Sequence, residues 1–365
     1  MTERIGGCNY MKRYGHLYEK IYDMENLKLA HQHAKKGKGW YAEVQMIDTD
    51  PDKYLKELQD MLINKTYHTS EYEVFYKNEH GKTRKIYKLP YFPDRVAQWA
   101  ILQVIEPYLI KHLISDTFSA IPDRGIHKGL SRVKKAVQHD VPNCQYCLKI
   151  DARHYYQSVN HDILKQKYRK MFKDNNLLWI LDEIIDSINT AEDEDLVSIY
   201  LLDEDIDPNT GIPIGNYLSQ YSGNYYFRYM DDIVILARTK EELHQLLKEI
   251  NEYFHNNMKL EIKKNYQVFP TYVRGIDYLG YRVFVSYVLL RKQTCKDMKK
   301  KMVKIRKKVE SGNMMNYSEW CSINSYKGWT DYGNCFRLTQ KYVEPLIPYA
   351  TKYYELNVKK GGKVA

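Results

Sequence analysis

The 365-residue sequence has no apolar run of about 18 residues, the length a helix needs to cross a bilayer, so no membrane span is expected. Its first residues, Met-Thr-Glu-Arg-Ile-Gly-Gly, lack the apolar core of a secretory signal, and a cytoplasmic protein is expected. Cysteine is sparse: Cys8, Cys144, Cys147, Cys295, Cys321 and Cys335. Cys144 and Cys147 form a lone CxxC with no second pair at zinc-site spacing, and Cys147 alternates into an apolar strand pattern. That argues against a zinc or redox module, and without a secretory signal the six read as reduced thiols rather than a disulfide framework. The phosphate loop GxxxxGK(S/T) is absent, which excludes a Walker-type nucleotide site. Internal repeats and low-complexity linkers are missing too.

What remains is a long, moderately basic, tyrosine-rich chain. Its hydrophobic content of 44% and charged content of 28% are ordinary for a globular protein. A formal net charge of +10 leans towards a polyanionic partner. Tyrosine outnumbers phenylalanine 35 to 9. Tyr offers a flat face and a polar tip, which suits stacking on bases or sugars; a compositional bias of the source is the alternative.

Apolar periodicity predicts helices over residues 9–36 and about 52–64, the second with Leu55, Leu58, Met61 and Leu62 on one face. Residues 71–90 read as a hairpin, with Tyr72, Val74 and Tyr76 alternating and Asn78-Glu79-His80-Gly81 as the turn. Its return arm carries Lys82, Arg84 and Lys85, placed to grip a triphosphate or a template backbone, unless they form only a solvated face. Asp94 reads as the N-cap of a helix ending near Pro107. Arg124 just before Gly125, and His127 and Lys128 between Gly125 and Gly129, form an arrangement that lets backbone and side chains approach a phosphate. Residues 171–190 read as helix and 191–209 as an acidic exposed segment, with a further helix beginning across 211–220.

Thr239 to Met258 reads as an amphipathic helix, capped by Thr239 with Glu242 closing a capping box. Leu260 to Val268 reads as a strand bearing Lys263 and Lys264, and Gly275 to Phe284 as a hairpin arm. Residues 291–308 hold ten Lys or Arg against Asp297 alone. Met298, Met302, Ile305 and Val309 keep a helical stripe there, leaving Lys300, Lys304 and Lys307 to face a nucleic-acid backbone. Large apolar residues are too few for a membrane anchor. The tail from Trp320 to Tyr354 reads as helical.

The chemistry is concentrated in two places. Tyr226 to Leu236 reads Tyr-Phe-Arg-Tyr-Met-Asp-Asp-Ile-Val-Ile-Leu, with Asp231 and Asp232 between two β-prone runs. Paired carboxylates repel each other and favour neither strand nor core. A tight hairpin with Met230 and Asp231 near its tip would project them into a cleft, where Mg²⁺ prefers such hard oxygen ligands. An acidic surface turn is the other reading. Leu148-Lys149-Ile150-Asp151 is a strand that ends in a third carboxylate. Three carboxylates at one sheet edge are what a two-metal phosphoryl-transfer site requires; helix capping by Asp151 is its alternative.

Taken together, the chain resembles a bacterial reverse transcriptase over roughly residues 12–350. Tyr229-Met230-Asp231-Asp232 matches the YxDD box and Leu148 to Asp151 the first-aspartate strand. Arg84-Lys85, Pro93-Asp94-Arg95, Arg124-Gly125-Ile126-His127 and Leu279-Gly280-Tyr281 fall in the order of the family's blocks. Ile214-Gly215-Asn216-Tyr217-Leu218-Ser219-Gln220 and Ser325-Tyr326-Lys327-Gly328-Trp329 look like the diversity-generating retroelement type within the group II intron-like superfamily.

The resemblance implies an α+β, right-hand polymerase architecture. It comprises an N-terminal helical segment (1–70), fingers (71–140), a catalytic palm with an antiparallel sheet (141–290), and a helical thumb with the tail (291–365). It implies an RNA-directed DNA polymerase that extends a primer with dNTPs on a template RNA, error-prone at template adenines. Asp151, Asp231 and Asp232 would be the catalytic and metal-binding residues for two Mg²⁺ ions. Arg84, Lys85, Arg95, Tyr156, Ile214 and Gln220 would face the nucleotide, Tyr156 as the steric gate and Ile214 in place of a polar residue. Arg124, His127, Lys128, Lys263, Lys264, Lys300, Lys304 and Lys307 would contact nucleic acid. A small basic helical accessory protein is the implied partner.

One departure stands out. Between Gln220 and Tyr229 the chain lacks the helix and return that the family inserts, on the order of twenty residues. Two other readings stay open, the second because of this shortened connection. One is a retron, group II intron or phage-defence reverse transcriptase; the other is a catalytically impaired RNA-binding relative.

Overall fold

The computed structural model describes residues 13–79, 82–153, 155, 158–187 and 225–359, without the side chains of Glu79, Lys82, Arg84 and Val358. The order begins with helices α1 (Tyr18–Ile21), α2 (Met24–Ala34), α3 (Ala42–Thr49) and α4 (Pro51–Ile63), then strands β1 (Glu73–Glu79) and β2 (Lys82–Lys88). Helices α5 (Val96–Lys111) and α6 (Ile126–His139), strand β3 (Tyr146–Asp151), and helices α7 (His161–Met171) and α8 (Asn175–Asp186) follow. Beyond residue 224 come β4 (Tyr225–Tyr229), β5 (Asp232–Ala237), α9 (Lys240–Tyr253), β6 (Gln267–Pro270) and α10 (Thr271–Arg274). Strands β7 (Ile276–Tyr278), β8 (Tyr281–Val283) and β9 (Val288–Leu290) lead to α11 (Lys292–Glu310), α12 (Tyr317–Asp331), α13 (Phe336–Tyr342) and α14 (Ile347–Tyr353). The described chain is mixed helix and sheet, and no helix in it is long and apolar enough to cross a membrane.

An antiparallel sheet ordered β4-β5-β3-β6 separates two cores. Side chains alternate across a strand, and β3 and β5 are apolar on both faces. Leu148, Ile150, Ile233, Ile235 and Ala237 join a core built with helices α1–α5 and α7–α9. Cys147, Val234, Leu236 and Phe227 join the other, with α6, β7–β9 and α11. Each buried Leu, Ile, Val or Phe among them contributes about 1.5–3 kcal/mol relative to exposure. The central pair is therefore hard to slide, because a one-residue slip would exchange the two faces.

The register resulting from this is Leu148↔Ile235, Ile150↔Ile233 and Asp151↔Asp232. The hairpin thus holds its register against β3 although only residues 221–224 separate Gln220 from β4. Residues 188–224 themselves, including the acidic segment and the expected helix after Gly211, lie outside the described residues.

Several local expectations are corrected. The helix expected over 9–36 is two, because Asp23 accepts hydrogen bonds from the Glu25 and Asn26 N–H groups and starts α2 afresh. Asp94 does not cap α5: it is fully buried and accepts from Tyr67 Oη at 2.9 Å and from the Ser70 N–H at 3.1 Å. Thr239 caps α9 as expected, but the Glu242 carboxylate turns to the Arg238 N–H, one residue before the cap. The strand expected over 260–268 is shorter and later, as β6; Leu260 to Lys264 makes only an isolated bridge, Ala152↔Ile262. The hairpin of β1 and β2, the basic helix α11 and the helical tail form as the sequence predicts, and Met298, Met302, Ile305 and Val309 are the buried stripe of α11.

Candidate active site

Three aspartates lie at one end of the β3–β5 pair. Asp151 is the last residue of β3 and pairs directly with Asp232, the first residue of β5. The strand alternation puts Lys149 and Asp151 on the face of Cys147, and Asp232 on the face of Val234 and Leu236, so all share the second core's side of the sheet. Asp231 occupies the two-residue turn Met230–Asp231, closed by the Tyr229↔Asp232 pair. Met230 is left-handed there (φ 56°). A positive φ at the first turn position suits the twist of a two-residue hairpin, but costs a non-glycine residue about 1–2 kcal/mol.

The electrostatics are those of a crowded acidic site with fixed cations. Burial pushes the Asp231 carboxyl above its ordinary range, and the neighbouring Asp151 carboxylate pushes it further while Lys263 opposes. Burial likewise raises Asp232, against the pull of Lys149 and then Arg291. Lys263 holds Asp151 twice: Nζ donates to Oδ2 at 2.5 Å and the backbone N–H to the Asp151 carbonyl at 2.9 Å. Lys149 Nζ lies 3.2 Å from Asp232 Oδ1 and donates to the Asp277 carbonyl at 2.7 Å. Arg291 pairs with the Asp277 carboxylate. A chain of alternating charges thus runs from Asp232 into the β7–β8 hairpin.

No set of three or more carboxylate, thiol or imidazole groups among the described residues converges on one point. What the site offers is narrower: Asp151 and Asp231 face each other, and Asp232 is engaged by Lys149. Asp151 Oδ1 is buried and accepts no hydrogen bond from any described residue. Two repelling hard-oxygen groups with an orphaned oxygen fit Mg²⁺, which is commonly held by one or two carboxylates, with water and substrate phosphate completing the shell.

The other positions predicted from sequence are spread around this centre. Lys85 lies over the Tyr87 ring at 5.5 Å on the exposed β1–β2 hairpin, and Arg84 pairs in that ladder with Lys77. Arg95 Nε donates to the Ala34 carbonyl at 3.4 Å, which ties it to the end of α2. Arg124 donates to the Ser115 carbonyl at 3.3 Å and Lys128 is exposed at the start of α6. The His127 ring stacks on Tyr332 at 3.7 Å, so it joins α6 to the end of α12. Lys264 is exposed beside Lys263, whose ammonium is committed to Asp151. Lys300, Lys304 and Lys307 are exposed on the side of α11 away from its buried stripe. Tyr156, Ile214 and Gln220 lie outside the described residues.

Sequence reasoning missed Lys149 and Arg228. Each is a charge inside an otherwise apolar strand, and that break in the pattern was the available signal.

Residues 202–283 match the family model described as reverse transcriptase (RNA-dependent DNA polymerase). No curated protein matches the chain. Among solved structures, apo telomerase from Candida tropicalis is similar at 9% identity and a TM-score of 0.43, covering 84% of this chain and 63% of that one. Telomerase from Candida albicans, in complex with a TWJ fragment of telomeric RNA, is similar at 10% identity and a TM-score of 0.42, covering 83% and 65%. The chain therefore spans under two thirds of the length of either. The matched stretch carries the Asp231–Asp232 hairpin and the Leu279-Gly280-Tyr281 turn.

Proposed function

We propose that the chain is a reverse transcriptase of the diversity-generating retroelement type, extending a primer with dNTPs on a template RNA with low fidelity at adenines. The observation that carries the polymerase reading is the strand register Asp151↔Asp232, which brings Asp151 beside Asp231 at the tip of a tight hairpin. In this reading β3, β4, β5 and β6 are the palm sheet, the β1–β2 hairpin the fingers and α11–α14 the thumb.

Asp151 and Asp231 would hold Mg²⁺ against the primer terminus and the triphosphate. Bound there, the metal would lower the pKa of the 3′-hydroxyl and neutralise charge on the departing pyrophosphate. Lys263 on Asp151 and Lys149 on Asp232 offset part of the site's negative charge. Lys300, Lys304 and Lys307 present a line of cations at helical spacing, suited to the phosphates of a template–primer duplex. The β1–β2 hairpin exposes Val74, Phe75 and Tyr76 on its outgoing strand, apolar and aromatic surface suited to contact with bases or sugars. The subtype rests on the Ile214-to-Gln220 and Ser325-to-Trp329 segments, and with it the small basic accessory protein and the second Mg²⁺ ion.

The test is primer extension by the purified protein on a defined RNA template in Mg²⁺, with each product sequenced. Mg²⁺-dependent cDNA with substitutions concentrated opposite template adenine is the expected result. Faithful cDNA would remove the subtype and leave the polymerase. RNA binding with no extension would favour the catalytically impaired reading, which the short connection after Gln220 suggests.

A further inference from the structure

Arg228 is the second residue before the turn that carries Asp231, and it is buried, at 4% exposure. A guanidinium is seldom taken out of water unless its donors are used. Its Nε donates to the Met230 carbonyl at 2.7 Å, inside the turn itself. Its Nη2 lies 3.4 Å from the Tyr155 hydroxyl, which is also buried. Tyr155 follows Asp151 by four residues, on the segment that leaves β3. Arg228 therefore spans the two chain segments that supply Asp151 and Asp231, from the face of the sheet opposite the carboxylates, where Tyr226 packs.

The backbone of Arg228 is fixed as firmly as its side chain. Its N–H donates to the Asp116 carbonyl at 3.0 Å and its carbonyl accepts from the Phe118 N–H at 2.9 Å. Asp116 is itself gripped by Arg132 of α6 through a two-pronged pair at 2.7 and 2.9 Å. The left-handed Met230 is thus held from behind by a residue tied down through both its backbone and its side chain. Strained turn geometry persists only where its surroundings over-determine it.

We propose that Arg228 is a positioning residue of the catalytic centre: by clamping the Met230 carbonyl and the Tyr155 hydroxyl together, it fixes the separation of Asp231 from Asp151. The planar guanidinium aims donors at the Met230 carbonyl and the Tyr155 hydroxyl in fixed directions, which an ammonium on a flexible stem does not reproduce. The inference rests on the reading of Asp151 and Asp231 as the polymerase centre, but its structural half does not need polymerase activity to be tested.

The experiment compares wild type, Arg228→Lys and Tyr155→Phe in three measurements. The first is amide hydrogen exchange of a peptide covering residues 229–235, without metal or nucleic acid. The second is Mn²⁺ binding followed by electron paramagnetic resonance. The third is kcat and KM for dTTP on poly(rA)·oligo(dT). Arg228→Lys is expected to speed exchange at the turn, to weaken Mn²⁺ binding by about tenfold or more, and to lower kcat while KM changes little. Tyr155→Phe should shift the same quantities in the same direction, by less. Should Arg228→Lys fail to fold, Tyr155→Phe decides alone. Exchange, Mn²⁺ affinity and kcat all within twofold of wild type in a folded variant would overturn the proposal. A wild type that binds no Mn²⁺ and extends no primer would instead overturn the polymerase reading, and hydrogen exchange would still judge the clamp.

Discussion

Replacing Lys263 by Met should make the protein less stable without metal and make it bind metal more tightly. Lys263 Nζ sits 2.5 Å from Asp151 Oδ2, and both side chains are 38% exposed. At that distance the bare attraction is about 6–7 kcal/mol for an effective dielectric of 20. Solvent screening and the entropy of a long side chain reduce exposed pairs to about 0.2–1 kcal/mol. A half-exposed pair with a second, backbone tie belongs near the top of that range, at about 1 kcal/mol. A metal entering at Asp151 must break this pair, so its removal should tighten binding by about fivefold. The apo protein loses the same contact and gains unrelieved repulsion between Asp151 and Asp231, for a fall in Tm of about 2 °C. The assay is Mn²⁺ titration by calorimetry, with thermal melts at zero and saturating Mn²⁺. Lys264→Met is the control: it removes the same charge one residue along, from an exposed side chain, and should shift Mn²⁺ affinity less than twofold. Equal affinities for the two variants, or weaker binding by Lys263→Met, would refute the displacement argument.

Two structural predictions test the frame that carries the site. Asp174 accepts from Leu17 N–H at 2.8 Å, Tyr18 N–H at 3.0 Å, and the Asn176 and Leu177 N–H groups at 3.2 Å, so it caps α1 and α8 at once. Burial pushes its carboxyl up, but these four donors outweigh burial and hold it below the ordinary range. Asp174→Ala should therefore cost about 2–4 kcal/mol in urea melts at neutral pH. Because the folded pKa is depressed, that contribution is present above the unfolded value near 3.9 and fades as pH falls through the folded one, so the two melting curves should converge in acid. Gly280, left-handed at φ 83°, has Trp329 of α12 against it; a Cβ would lie 2.4 Å from the ring. Gly280→Ala should lower stability by about 1–3 kcal/mol through overpacking and should red-shift Trp fluorescence.

How much of this was legible beforehand follows from what each residue's environment demands. The β3–β5 pair was readable because an apolar run ending in a carboxylate has few places to go: both faces are buried and only the strand end meets solvent. The buried stripe of α11 was readable because its lysines left only one apolar line. Helix α7 was not read, since His161 to Met171 is mostly polar and buries only His161, Leu164, Tyr168 and Met171. Asp94 looked like a cap from its place before a helix; its partners, Tyr67 and Ser70, are tertiary and leave no local trace. Lys149 and Arg228 were overlooked for a similar reason. A charge in an apolar strand marks the position from sequence, but its role follows only once its acceptors, Asp232 and the Met230 carbonyl, are seen. His127 shows the converse: a basic loop residue suited to a phosphate has its ring packed on Tyr332 instead.

The most direct test of the central claim is the rate of single-nucleotide addition by three variants, Asp151→Asn, Asp231→Asn and Asp232→Asn, each on the same RNA template and primer in Mg²⁺. Asp231 is pushed up by burial and by the neighbouring Asp151 carboxylate, whereas Asp232 starts the next strand with Lys149 3.2 Å from its Oδ1. The first two variants should lose activity by about 10³-fold or more, and Asp232→Asn should keep a clearly measurable fraction. Near-wild-type addition by Asp151→Asn or Asp231→Asn, or a loss confined to Asp232→Asn, would contradict the site described.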